Sequence, residues 1–412
     1  MIDFSKYTLP NGLTVIAHRD GSSPIAAFNL LYKVGARNEN PNRTGFAHLF
    51  EHLMFSGSKN APSFDDPLQM AGGENNAFTN NDYTNYYETL PKENIETAFW
   101  LESDRMFGLN INEQSLSVQK NVVTEEFNQR YLNQPYGDIW LLLRSLAYQV
   151  HPYQWPTIGK EISHITNATL TEVTDFYNKF YSPNNAILSV VGDFDERYIF
   201  EMANKWFGDI PAQYMGDDLI PQEPIQTELR ELEVERDVPT SALYKVYHMC
   251  DRLDSRYYAT DMLSDILSNG KSARMYRSLV QDQRLFTEVN AYLTGDVDPG
   301  LFVFSGKLSK GVSFEQAEKA IATEVDKLLS EKISEYELEK VKNKYETSIV
   351  FGETSILNKG MNLGYYQMLG DAAMINTEVD KYRSVAAEEL IDVASKLLVD
   401  SNSSTLRYIA KK

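Results

Sequence analysis

Two stretches decide how this chain is parsed: Gly45-Phe46-Ala47-His48-Leu49-Phe50-Glu51-His52-Leu53-Met54-Phe55-Ser56, and Asp261-Met262-Leu263-Ser264-Asp265-Ile266-Leu267-Ser268-Asn269-Gly270. The first reads as a helix, and positions 48, 51 and 52 fall on one of its faces. Two imidazoles one turn apart can each give a nitrogen to one tetrahedral zinc, while the carboxylate beside them reaches a water on that metal. A histidine on a helix is more often a surface or satisfied core residue than a ligand. Here the whole chain holds six His, at 18, 48, 52, 151, 164 and 248, and two of them take this spacing with Glu between.

Working outward, Leu13 to His18 and Ala26 to Val34 read as strands ahead of the first stretch, broken by Gly21-Ser22-Ser23-Pro24. Helix signals then dominate to about 145, interrupted by a hairpin-like passage from Asn75 to Leu90. Thr169 to Glu172 is a capping box, and Ala186 to Val191 is a buried strand. The order then restarts with strands Glu228 to Arg236 and Ala242 to Cys250, followed by the second quoted stretch. Laid without gaps on His48 to Gly57, that stretch puts Asp261 opposite His48, Ser264 opposite Glu51 and Asp265 opposite His52. The second half repeats the fold and lacks the metal set. Further capping boxes at Ser313 to Gln316 and Ser334 to Glu337 open its later helices. The fold class expected is α+β, with two homologous α/β-sandwich domains, each a mostly antiparallel sheet with helices packed on one side. The expected boundaries are 1–210 for the zinc-binding catalytic domain, 211–227 for a Pro- and acid-rich linker, and 228–412 for the metal-free domain.

A zinc site needs a third protein ligand. Ser115 to Arg130 reads as a second helix, on which Glu126 shares a face with Gln119, Val122 and Val123. Glu125 points about 100° away, toward Asn121 and Gln129. An inward carboxylate among apolar neighbours needs a partner, and zinc is the natural one. An ordinary solvated acidic pair has the same sequence, so spacing leaves both readings of Glu126 open.

Composition agrees with a globular enzyme of two or three domains: 412 residues, 42% of them hydrophobic. One cysteine, Cys250, excludes an intramolecular disulfide and fits a reducing compartment. The N-terminal residues carry no apolar core of a signal peptide, and no apolar run is long enough to span a bilayer, which points to a cytoplasmic protein with no membrane partner. The net charge of −19 is read as solubility, with a weaker reading as a preference for basic peptides. No basic face is visible, so nucleic acid is not an expected partner.

His-x-x-Glu-His inverts the commoner His-Glu-x-x-His zinc motif, and the chain resembles the pitrilysin, insulysin and mitochondrial processing peptidase family of zinc peptidases over nearly its whole length. The matching residues are Leu9 to Val15, His48 to Ser58, Gly72-Gly73-Glu74-Asn75-Asn76-Ala77-Phe78-Thr79, Val122 to Glu126, His151-Pro152-Tyr153, Tyr181 to Ala186 and Val190 to Phe194. The resemblance implies one Zn2+ per chain held by His48, His52 and Glu126, with Glu51 as the catalytic base. It also implies a residue two helical turns before the ligand Glu that orients the site; the family has an acid there and this chain has Gln119. The Asn-Ala pair of the hairpin contacts substrate in the family, which maps to Asn76 and Ala77; Phe78, next on the strand, joins them as a candidate. An exposed edge of that hairpin would accept an extended peptide as an added strand, although Asn residues there also serve plain turns.

The chemistry expected is zinc-dependent endopeptidase cleavage of peptides or unfolded segments, with Glu51 moving the proton from water to the leaving amine. One departure stands out. Many relatives carry an Arg and, seven residues later, a Tyr in the second half, which clamp substrate and stabilise the oxyanion. An ungapped alignment places Val280 and Thr287 there, and loss of an oxyanion donor lowers turnover by about 10²–10³. Either Arg277 and Arg284 compensate or a partner subunit supplies the pair. The second is the expectation: a homo- or heterodimer in which this chain is the catalytic half of a two-chain clamshell. The alternative readings are a non-catalytic scaffold or assembly subunit of the same fold, and a zinc hydrolase acting on a non-peptide substrate.

Overall fold

The computed structural model describes residues 1–216 and 219–411. The first half runs β1 (Ser5–Thr8), β2 (Thr14–Arg19), β3 (Ile25–Tyr32), α1 (Phe46–Leu53), α2 (Asp65–Met70), β4 (Glu74–Thr79), β5 (Thr84–Pro91), α3 (Ile95–Phe107), α4 (Glu113–Phe127), α5 (Ile139–Ala147), α6 (Ile162–Thr166), α7 (Leu170–Phe180), β6 (Ala186–Gly192) and α8 (Glu196–Phe207). The second half runs β7 (Arg230–Arg236), β8 (Ala242–His248), α9 (Tyr257–Ser268), β9 (Phe286–Leu293), β10 (Leu301–Leu308), α10 (Phe314–Ser330), α11 (Glu335–Gly352), α12 (Ile356–Leu369), α13 (Glu378–Ser384), α14 (Ala387–Leu397) and β11 (Ser403–Ala410).

The strands form two mixed sheets, ordered β1-β2-β6-β3-β5-β4 and β7-β11-β8-β10-β9. Without β1, the two orders correspond strand for strand. Each has one parallel pair among the described residues, β2 with β6 and β7 with β11, and the other pairings are antiparallel. The duplication inferred from the restarting pattern is thus a duplication of topology.

The chain divides into two compact units, and neither is continuous in sequence. One comprises Met1–Gln129, Trp155–Ile220 and Val350–Thr377; the other comprises Arg130–Gln154, Pro221–Ile349 and Glu378–Lys412. The segment carrying α5 therefore belongs with the second sheet, and the segment carrying α12 with the first. The two domains of mostly antiparallel sheet with packed helices are those expected, and each sheet also carries a helix on its second face. In the first unit Phe28 of β3 meets Phe99 of α3 at 4.9 Å. Its neighbour Asn29 points to the opposite face, where α12 crosses near Asn29 and Val191. In the second unit Phe302 and Phe304 pack with α9, α10 and α14, while Leu301 and Val303 pack with Ile139 and Leu143 of α5. Strands covered on both faces bury nearly every residue, as β3 and β6 do.

Candidate metal and catalytic site

Gly45 precedes α1 with φ of 89°, and a Cβ there would lie 2.6 Å from the Ile158 carbonyl oxygen, so the position requires glycine. Glycine has no side chain to cap a helix. The cap comes instead from Glu39, whose carboxylate accepts the N–H of Gly45 at 2.8 Å and of Ala47 at 2.9 Å. Phe46, Ala47, Leu49, Phe50 and Leu53 form the buried face of α1, with Phe50 stacked on Phe176 at 5.2 Å. That packing turns His48, Glu51 and His52 to the other face.

On α4 the buried stripe is Leu116, Val123 and Phe127. Glu126 sits at the margin of this stripe, half-buried, and Glu125 is exposed. Val122, expected to share the inward face, is 43% exposed, because the stripe runs through 116, 123 and 127 and leaves 118 and 122 outside it. The Glu126 Oε2 atom stands 3.6 Å from Nε2 of His48 and 3.4 Å from Nε2 of His52, and one donor atom from each of the three side chains lies within 4.8 Å of the others. Ligands at about 2.0–2.1 Å around a tetrahedral zinc are about 3.4 Å apart. The donor set, two imidazoles and one carboxylate, therefore fits zinc in both type and spacing, and it leaves a fourth position open.

Glu51 lies beside this set and accepts hydrogen bonds from the hydroxyl and the backbone N–H of Thr79, the last residue of β4. Burial pushes its carboxyl above the usual range, and the Thr79 bonds pull the other way. Thr79 was not singled out by sequence; it touches the base because β4 pairs with β5 in the register Thr79 to Thr84, and no local spacing rule announces that contact. Glu39 was missed for the same reason. Gln119, read as orienting the ligands, donates to Ser56 Oγ at 3.4 Å, just beyond α1.

The residues read as substrate-binding lie on β4, the edge strand of the sheet. Asn76 is exposed, and its Oδ1 accepts the Ala77 N–H at 2.8 Å. Phe78 packs on Tyr83 with ring centres 5.7 Å apart. Asn75 donates to Asp65 at 2.7 Å. In the second unit, Asp261 accepts the Tyr382 hydroxyl at 2.7 Å, and Lys344 bonds both oxygens of Asp265 at 2.9 and 2.8 Å. An ammonium group thus neutralises the acid opposite His52.

Residues 14–160 match the family profile described as Insulinase (Peptidase family M16), and residues 167–345 match the one described as Peptidase M16 inactive domain. The chain belongs to peptidase family M16. A relative in this family, "Zinc protease PqqE" of Helicobacter pylori, is 29% identical over 411 residues, spanning 97% of this chain and 91% of that protein. "Mitochondrial-processing peptidase subunit beta" of Saccharomyces cerevisiae is 27% identical over 206 residues, or 49% of this chain and 44% of that subunit. The crystal structure of a protease from Helicobacter pylori superimposes with a TM-score of 0.92 at 28% identity, covering 99% of this chain and 100% of that one. The M16 resemblance read from the motifs is borne out, and these likenesses support a peptidase-type function with a zinc cofactor. Among the described residues no helix is long and apolar enough to cross a membrane.

Proposed function

We propose that this M16 chain is a zinc-dependent endopeptidase, with one zinc held by His48, His52 and Glu126 and with Glu51 as general base. The observation that carries the reading is the gathering of two imidazole nitrogens from α1, the helix that also presents Glu51, and a carboxylate oxygen from α4 within 4.8 Å of one another. Zinc, when bound, supplies a Lewis acid for the scissile carbonyl and lowers the pKa of a coordinated water to about 7.

The chain's own groups do the rest. Glu51 takes the proton from the attacking water and passes it to the amine nitrogen as the C–N bond breaks. Thr79 orients that carboxylate through two hydrogen bonds. An extended peptide adds alongside β4, whose outer backbone groups form the rim of the sheet. Asn76 leaves the Ala77 N–H and takes up the peptide backbone, and Ala77 and Phe78 line the same edge. The oxyanion donors are assigned to a second, homologous subunit. In support, Val280 packs against the core of its own unit, and Thr287 donates its hydroxyl to the Lys307 carbonyl at 3.2 Å, so neither presents a cation.

The test is cleavage of quenched fluorescent peptides by the purified chain, alone and with a homologous partner. Activity is expected to vanish on chelation and to return with zinc. Glu51→Gln is expected to retain its zinc and lose essentially all cleavage, since Gln is nearly isosteric and cannot accept the proton. Chelator-insensitive cleavage, or full activity in a zinc-replete Gln variant, overturns the reading.

A further inference from the structure

The short segment Gly35–Glu39 touches both halves of the proposed machinery. At one end Glu39, 6% exposed, accepts N–H groups from Gly45 and Ala47 at the start of α1. At the other end Ala36 and Arg37 donate their N–H groups to the carbonyls of Asn80 at 3.2 Å and Asn81 at 2.9 Å, in the turn between β4 and β5. Arg37 also pairs with Asp82 of that turn at 3.1 Å. Gly35 lies so close that a Cβ would stand 2.6 Å from the Asn80 oxygen. Trp155 closes the arrangement by donating its indole N–H to both the Ala36 carbonyl and Glu39 Oε2, each at 3.1 Å.

Gly45, Ala47 and Trp155 all donate to the Glu39 carboxylate, and these bonds work against the burial that pushes its carboxyl up to about 8. Burying a carboxylate costs several kcal/mol before its bonds are counted. A Ser, Thr or Asp directly before α1 would cap the helix without that cost. What Glu39 achieves beyond a local cap is a connection: the same segment holds the helix carrying His48, Glu51 and His52 and the tip of the hairpin whose edge is the proposed peptide rim. A misplacement of about 1 Å in such a site lowers turnover by about 10²-fold.

We propose that Glu39 is a positioning residue, holding the start of α1 in register with the β4–β5 hairpin so that metal ligands, base and peptide edge meet. The proposal rests on the functional reading above. It is tested on the full chain by Glu39→Gln, which keeps the shape and turns an amide N–H2 toward N–H donors, with Trp155→Phe as a milder variant removing one donor. The readouts are circular dichroism for the fold, the visible spectrum and affinity of Co2+ in the metal-free protein, and kcat and KM for a peptide.

For a folded Glu39→Gln chain, cobalt affinity is expected to fall about tenfold or more with a changed spectrum, and kcat to fall about 10–100-fold with KM within about threefold. Trp155→Phe is expected to shift both in the same direction by less. A folded Glu39→Gln chain with the wild-type cobalt spectrum and affinity overturns the proposal and leaves Glu39 a plain cap. If Glu39→Gln does not fold, unchanged cobalt binding and kcat in Trp155→Phe overturn it equally. A wild-type chain that binds cobalt and cleaves no peptide defeats the functional reading, while the cobalt comparison still decides the role of Glu39. A wild-type chain that binds no cobalt overturns both.

Discussion

Beneath the hairpin and α1, three ionisable side chains are buried with no water exposure to relieve them: Glu88 on β5, and Glu102 and Arg105 on α3, each 0% exposed. The Arg105 Nε donates to Glu102 at 2.6 Å, and a second guanidinium bond reaches the other oxygen of Glu102. Glu88 stands 3.9 Å from the guanidinium, which lies over the rings of Tyr86 at 4.3 Å and Phe64 at 4.4 Å. Two carboxylates and one guanidinium would leave an uncompensated negative charge. Burial, reinforced by Glu102 beside it, holds the Glu88 carboxyl well above its ordinary 4.5, so Glu88 carries the proton and the triad is neutral. Glu88→Gln then replaces one neutral group with another, and near pH 4.5 and below, where the unfolded carboxyl is protonated as well, it should cost less than about 1 kcal/mol. Glu102→Gln removes the bonded partner of a buried cation and should cost about 3–5 kcal/mol. The pH dependence follows from the direction of the shift. A raised acid contributes stability that is complete below its unfolded value of 4.5 and is lost as pH rises toward its folded value. Glu88→Gln has no such loss, so its stability relative to wild type should improve with pH, by at most about 1.4 kcal/mol per unit. Urea unfolding of both variants and wild type at pH 5, 7 and 8.5 measures this. Equal costs for the two substitutions at pH 7, or a wild-type-to-Glu88→Gln difference that is flat with pH, would refute the reasoning.

Metal analysis of point variants gives the next check: His52→Ala and Glu126→Gln should lose zinc while Glu125→Gln keeps it, and zinc retained in Glu126→Gln would remove that residue from the site. Thr79→Val should lower kcat about tenfold with zinc content unchanged, because Glu51 loses a hydroxyl donor, whereas Thr79→Ser should stay near wild type; equal kcat in all three would show that the hydroxyl does nothing for the base. Adding a homologous subunit that carries the Arg and Tyr should raise turnover by about 10²-fold or more, and full activity of this chain alone, undiminished by dilution, would show that it supplies its own oxyanion donor.

Sequence alone was enough wherever the physics is local. The spacing of His48, Glu51 and His52 places them on one face of α1. Thr169 with Glu172, Ser313 with Gln316 and Ser334 with Glu337 do open helices through reciprocal bonds, since capping depends on residues three apart. The restart of strand, strand and helix in the second half showed the duplication, and the missing His and Glu opposite Asp261 to Asp265 showed which half lacks the metal set. Tertiary structure alone decided the partners. Ile139, Leu143 and Ala147 mark an apolar face on α5 without saying which sheet covers it, so its place in the second unit, and that of α12 in the first, could not be read from period. Val122 looked inward by spacing yet is exposed, because only packing chooses which of two neighbouring rows on α4 faces the core. Glu39 and Thr79 reach α1 from the segment after β3 and from the end of β4, and a hydrogen bond between residues distant in sequence has no periodicity to announce it.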